Sequence, residues 1–337
     1  MLFDGRIAGD GGLPIVTTEA DADSPPRPEF LALGAFYKQE IEPWLQSQEG
    51  RRRKARLLRW LIIGGGLAPL AVWLVVVLTG DWSGFWLFVI MVLGIIVVAV
   101  GNIPISKLSS DVKAFVMEKL AGFFRFSYSA TPDFPDAPYF TELRMLPIHD
   151  KRNLEDGIEG EIKGVKFRMV DAHLTQRRKS GKSHKNVTVF RGLLLCLPHA
   201  PTGEDAACVW RRDVGQWATG QGWGEVSVGD PAFDGTYIVH SDSKETARRL
   251  LDAGIRRAFT AIDEREDVDD VRLGITHDRL LLAFNMGTDS FEAGKMNRPL
   301  ADPNRVQAMV ELFAIPFDAV DGFKLQPAAT ATPSPSS

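Results

Sequence analysis

The densest cluster of reactive side chains lies between positions 176 and 185. Arg177-Arg178-Lys179-Ser180-Gly181-Lys182-Ser183 contains a Gly-Lys-Ser step, the ending of a phosphate-binding loop. Such a loop needs a glycine five positions before Gly181, and Gln176 stands there. It also needs a strand before it and a helix after it, whereas an apolar strand pattern follows at Val187 to Leu197. Nucleotide binding is therefore set aside. The segment from Gln176 to Lys185 reads as a solvated basic tip, with Arg177, Arg178, Lys179, Lys182 and Lys185 able to meet anionic headgroups or an acidic partner.

Acid–base or metal chemistry has few other candidates. The six histidines stand at 149, 173, 184, 199, 240 and 277, with no His-x-His or His-x-x-x-His spacing. His149-Asp150 and Asp171-Ala172-His173 are the close carboxylate–imidazole pairs. A site built from Asp150, Asp171 and His173 requires the fold to bring them together. The run Asp263-Glu264-Arg265-Glu266-Asp267, with Asp269 and Asp270, lacks the glycine-turned order of a calcium loop and reads as a solvated helix end. Cys196 and Cys208 have no second cysteine or histidine at zinc spacing, and neither carries a nucleophile motif. No metal or cofactor is expected. A net charge of −4 argues against a general nucleic-acid binder, so no nucleic-acid partner is expected.

The elements that must position these residues begin at a membrane. A basic run, Arg51-Arg52-Arg53-Lys54-Ala55-Arg56, precedes two apolar stretches, 57–78 and 85–105. Each is about 20 residues, which at about 1.5 Å per residue crosses a bilayer core. Arg59 is the one ionisable residue inside them, near an end where it can snorkel. Trp60 lies at one face, with Trp82 and Trp86 at the other, as an aromatic belt requires. The spacing predicts a transmembrane hairpin. Gly64 and Ala68, with Gly94 opposite, are the expected points of close helix approach. The absence of ionisable residues mid-span argues against a transporter or proton relay.

Basic residues set the orientation. Arg51, Arg52, Arg53, Lys54, Arg56 and Arg59 precede or open the first span, Lys107, Lys113 and Lys119 follow the second, and the connector has none. The positive-inside rule then places both flanks in the cytoplasm, with two spans in the membrane and only the connector outside. Arg51, Arg52, Arg53, Lys54 and Arg56 are also candidate contacts to anionic lipid.

The remaining chain divides as follows. Residues 1–28 form a disordered arm rich in Gly, Asp and Pro. Residues 29–56 form a juxtamembrane helix with Phe30, Leu33, Tyr37, Ile41, Trp44 and Leu45 on one face, interrupted at Pro43. That face can lie on the membrane or dock on the downstream domain. Residues 106–128 form a stalk helix, begun by Ser109-Ser110-Asp111. Residues 129–326 form a cytoplasmic α+β domain with a loop over 129–138, and 327–337 a disordered tail. Within the domain, Lys163-Gly164 reads as a tight turn, and 165–197 after it as a long β-hairpin with its tip at Gln176 to Lys185. A strand over 236–240 leads to a helix capped by Asp242, with Ala247, Leu250, Leu251, Ile255, Phe259 and Ile262 inside. A second hairpin turns at His277-Asp278, and a last helix starts at Pro303.

These motifs resemble a family of bacterial membrane proteins, domain of unknown function 3137. The likeness rests on Phe36 to Ile41 and the two spans, then Asp156 to Gly160, Gly164 to Phe167 and Thr188 to Gly192. It continues in Phe233, Tyr237 to Val239, Ser241-Asp242 and Ala247 to Leu251. It covers most of 36–315 and is least clear from Leu197 to Gly229. The resemblance implies a cytoplasmic α+β domain on a membrane hairpin. It implies no catalytic residue. The residues themselves assign its glycines to turns, and Phe167 and Phe190 to inward faces.

The fold class expected is thus α+β, a two-helix transmembrane hairpin followed by a mixed, strand-rich soluble domain with flanking helices. A small barrel capped by the last helix is the expected topology. The expected role is a membrane-anchored cytoplasmic binding or scaffold protein, non-enzymatic, with the lipid bilayer and a protein as partners. The alternatives are a membrane-bound enzyme using Asp150, Asp171 and His173, and a structural subunit of a membrane complex.

Overall fold

The computed structural model describes residues 27–80, 84–180, 183–214, 223–265, 268–287, 296 and 298–327. The arm up to residue 26, Trp82, Lys182, Glu266, Asp267 and the tail from 328 lie outside them. The chain forms two compact units, Met1–Phe123 with Glu292–Ala308, and Phe124–Phe291 with Met309–Ser337.

The first unit is helical. A 3-10 turn, Pro28–Phe30, leads through α1 (Leu33–Phe36) and a π turn, Tyr37–Ile41, into α2 (Glu42–Thr79). Pro43 is where the sequence predicts a break. It instead sits in the first turn of α2, where its missing N–H costs little, and the widened π turn lies just before it. The juxtamembrane segment and the first apolar stretch therefore share one helix. Likewise α3 (Gly84–Phe124) runs unbroken through Pro104 and Ser109. There is no separate stalk, and Ser109-Ser110-Asp111 caps nothing. Asn102 donates back to the Val98 carbonyl at 2.8 Å, which satisfies its amide inside the helix.

Most of the apolar face of 29–45 is packed inside the protein. Phe30, Leu33, Tyr37, Ile41 and Leu45 are buried, as are Leu108, Val112, Val116 and Leu120 on α3. Trp44 stacks on Phe115 at 3.8 Å and Phe36 meets Phe123 at 4.9 Å. Glu40 pairs with Lys119 at 2.8 Å, and Tyr37 donates to the Ala301 carbonyl at 3.1 Å.

The second unit is a nine-stranded antiparallel sheet with flanking helices. Its elements in chain order are β1 (Ser127–Ser129), α4 (Ala137–Glu142), β2 (Lys151–Ile162), β3 (Val165–Ser180), β4 (Ser183–Pro198), β5 (Ala206–Arg211), β6 (Gly224–Glu225), α5 (Pro231–Thr236), β7 (Tyr237–Ser241), α6 (Lys244–Leu250), α7 (Ala253–Asp263), β8 (Asp270–Thr276), β9 (Arg279–Asn285) and, from Met309 on, α8 (Pro303–Gly322). The spatial order is β1-β2-β3-β4-β9-β8-β5-β7-β6. The two short edge strands do not pair with each other among the described residues, so the sheet is open and the expected barrel is not formed.

Both expected hairpins are present. Lys163 and Gly164, with φ of +52° and +83°, make the tight turn expected just ahead of the first and join β2 to β3. β1, α4, β2, β5, β6 and α5 were not expected. The helix expected over 244–262 is two helices. Ser243, not Asp242, caps α6 by accepting from Thr246 N at 3.0 Å. Asp252 then ends the run by accepting from Gly254 N and Ile255 N at 2.7 and 2.9 Å, which starts α7. One sheet face packs Val170, Ala172, Leu174, Phe190 and Leu194 against Phe134, Phe140 and Met145. On the other, Phe167 meets Phe126 edge-on at 4.8 Å, and Phe126 in turn meets Phe317 of α8 at 5.7 Å.

Candidate functional site

The two apolar helices are the largest feature that the fold leaves without cover. In the most apolar 18-residue window of each, 6% and 11% of residues are buried. Leu57, Trp60, Leu61, Val72, Val75 and Leu78 on α2 face outward, as do Phe85, Phe88, Met91, Ile95 and Ile103 on α3. Both helices are long and apolar enough to cross a membrane. Their close approach is set by Gly66 and Gly101. A methyl at Gly66 would sit 2.5 Å from Val97 Cγ1, and one at Gly101 2.7 Å from Ile63 Cγ1. Of the expected contact residues, Gly64 has nothing within 4 Å, and a methyl at Gly94 would meet Leu67 at an ordinary 3.8 Å. The periodicity identified small residues but not the side that faces the partner helix.

The basic run ahead of the first apolar stretch separates into two kinds of residue. Arg51, Arg53, Lys54 and Arg56 are exposed. Arg51 reaches Asp111 at 3.2 Å, and Arg53 lies 3.8 Å from Glu49. Arg52 is buried, pairs with Glu49 and donates to the Met296 carbonyl at 3.0 Å. Glu49 also accepts from Leu300 N at 3.3 Å. The hydrogen bond from Arg52 holds the Glu49 carboxyl below the usual carboxylate range. Arg52 is therefore a structural residue, and its guanidinium is not available to a headgroup as the sequence reading supposed.

The sheet brings two of the three enzyme candidates together. In register, Asn153 faces His173 and His173 faces Arg191, while Glu155 faces Asp171. These five side chains line a shallow polar depression of about 50 Å³ at the end of one sheet face. Asp171 is buried, and His173 shares a 2.9 Å hydrogen bond with Thr188. Asp150 is not a member: its carboxylate accepts from Arg177 N at 2.6 Å. Asp150, Asp171 and His173 thus do not converge on one point. Among the described residues, no group of three or more His, Cys, Asp or Glu side chains could hold a metal.

Other titratable groups inside the second unit serve its packing. Asp136 accepts from Arg168 at 2.6 Å and from Arg279 at 2.9 Å. Burial opposes its charge, but those two hydrogen bonds outweigh it and hold its pKa below the ordinary value. Asp270 and Arg272 are both buried and joined at 2.9 Å, and Arg272 also donates to the Met145 carbonyl at 2.9 Å. Burial raises the Asp270 pKa and lowers that of Arg272, against the attraction between them. Asp263 accepts from Tyr237 at 2.9 Å, and burial raises its pKa too. Both thiols are free and buried. Burial pushes Cys208 up to about 12 and Cys196 higher still, so neither is a thiolate at neutral pH.

The basic tip is the end of the β3–β4 hairpin. Arg177, Arg178, Lys179 and Lys185 are exposed there. Arg178 stands opposite Lys185, and Lys179 opposite His184. The tip's composition was legible in the sequence, and its register was not.

No curated protein matches the chain. Among solved structures, the crystal structure of the mycobacterial trehalose monomycolate transport factor A, TtfA, aligns with 60% of this chain and 95% of its own. Its identity is 12% and its TM-score 0.31, too slight a likeness to bear on fold or role. The family described as a protein of unknown function, DUF3137, matches residues 188–325. The span runs from Thr188 of the Thr-Val-Phe-Arg-Gly motif through β5, β7, β8 and β9 to the end of α8. It leaves out the likeness noted at 36–41, 156–160 and 164–167. On this match the resemblance to the DUF3137 family, first read from the motifs, holds across the C-terminal part of the sheet domain.

Proposed function

We propose that this chain is a membrane-anchored binding or scaffold protein, in which α2 and α3 cross a bilayer and the sheet domain recruits a partner at its cytoplasmic face. The observation that supports it is the exposed apolar surface of the two helices. A water-soluble chain rarely leaves so large a contiguous apolar patch uncovered, and a bilayer covers it while the helices satisfy their own backbone. The exposed cations Arg51, Arg53, Lys54 and Arg56 at one flank, and Lys107, Lys113 and Lys119 after the second stretch, favour both flanks inside. For a bacterial chain that means the inner membrane, with both termini cytoplasmic.

The test places a single reactive thiol at the C-terminal tail with Ser336→Cys and labels intact cells with a membrane-impermeant maleimide. Cys196 and Cys208 can stay, because both are buried with raised pKa values. Retention of the chain in carbonate-washed membranes, with labelling only after lysis, is the expected result. Release by carbonate would remove the anchor. Labelling of intact cells would reverse the orientation.

A further inference from the structure

β2 pairs with β3 only as far as Thr175, and β9 pairs with β4 only from Gly192 onward. The strands Gln176–Ser180 and Ser183–Val187 therefore pair with each other alone among the described residues. They form a two-stranded ribbon about 17 Å long beyond the sheet. Between Gln176 and Val187 the sequence has no Asp or Glu. Arg178 lies directly opposite Lys185, and Lys179 opposite His184, so both faces of the ribbon are cationic. Like charges in direct cross-strand register repel. The hydrogen bonds at hand do not relieve this. Arg178 donates to the neutral Gln176 amide at 2.9 Å, and the Asp150 carboxylate accepts from the Arg177 backbone and not from the Arg178 or Lys185 side chain.

We propose that this ribbon binds an anionic phospholipid surface. The inference rests on the anchoring reading above, which brings a bilayer to the domain. A ribbon charged on both faces suits a diffuse planar field of headgroups. It has no Phe, Tyr or Trp from 176 to 187 on which nucleic-acid bases could stack. Headgroups would relieve the Arg178–Lys185 repulsion, and each basic residue near such a surface contributes about fivefold to binding.

The experiment uses the full chain in nanodiscs of phosphatidylcholine, with or without phosphatidylglycerol. A fluorophore at Asn186→Cys, an exposed position, is read against a headgroup-linked quencher. Quenching is expected with phosphatidylglycerol, and is lost without it or in high salt. Lys185→Glu carries the decisive signs. It should weaken quenching about tenfold or more yet raise the melting midpoint, because Arg178 then faces a carboxylate. Equal quenching in both nanodiscs, or none in either after incorporation, overturns the lipid proposal alone. A label water-exposed on anionic nanodiscs but shielded in native membranes also overturns it, in favour of an acidic protein. Failure of the chain to incorporate at all removes the anchoring reading and this one with it.

Discussion

From Val165 to Leu174 and from Phe190 to Leu197 the β3–β4 hairpin lies inside the sheet, with β2 on one side and β9 on the other. Val165, Met169, Leu174, Leu193 and Leu195 are wholly buried there. From Gln176 to Val187 the same two strands keep pairing, yet most of the described side chains there are exposed. The change falls at a register shift between Leu174 and Thr175, where Val189 is the extra residue on β4. A strand pair is thus core or surface according to what flanks it. The inner half carries stability, and the outer half carries charge that stability does not require.

Breaking the inner half should have the largest effects. Gly192 ends the Val189-Phe190-Arg191-Gly192 motif, and it does not sit at a turn as the sequence reading had it. It lies where β4 meets β9, and a methyl there would come within 2.0 Å of the Phe284 carbonyl oxygen and 2.9 Å of Met286 N. Gly192→Ala should cost at least about 4 kcal/mol, since backbone and not a flexible side chain must yield. Chemical denaturation of the sheet domain's fluorescence would show it, and an unchanged midpoint would refute the close approach. Leu195→Ala should cost about 3 kcal/mol through an unfilled cavity. A loss below about 1 kcal/mol would mean that the core collapses around it.

Asp136→Asn should cost less, about 2 kcal/mol, because Arg168 and Arg279 are partly solvated and keep some hydration when their partner is lost. This effect has a sign in pH. A folded-state pKa below the unfolded value stabilises the fold above the ordinary carboxylate pKa. That stability is lost as pH falls through the depressed value. The gap between parent and variant should therefore close in acid. Asp263 and Asp270 run the other way, because their raised folded pKa values make protonation favour the fold. Melting both chains from neutral to acidic pH and taking the difference isolates Asp136. A gap that widens in acid would contradict the assignment. The smallest effect belongs to the outer half, where Lys185→Glu should gain only a few tenths of a kcal/mol.

Some elements were legible because one local signal sufficed. The apolar stretches have length and composition. Lys163-Gly164 is a tight-turn pair ahead of an alternating strand, His277-Asp278 turns a hairpin between two apolar runs, and Pro303 opens the last helix. Others were hidden for physical reasons. β2, Lys151–Ile162, is charged and half exposed because only the three residues of β1 flank it on one side. β5, Ala206–Arg211, is a short buried run without alternation. Asp252 breaks a helix that apolar spacing would continue, since a side chain's competition for backbone N–H groups does not alter hydrophobic period. At the polar depression, Asp171 and His173 were visible as a pair. Asn153, Glu155 and Arg191 came from neighbouring strands that only register could align.

By itself the sequence determined two bilayer-length apolar helices, a cationic hairpin tip and an α+β domain. Each follows from composition and period over a contiguous stretch. Tertiary structure decided the strand order, the burial of Arg52 beside Glu49, the choice of Gly66 and Gly101 for close helix approach, and the placing of Arg178 against Lys185. Those outcomes depend on which distant segment lies alongside, and local side-chain spacing carries no record of that neighbour.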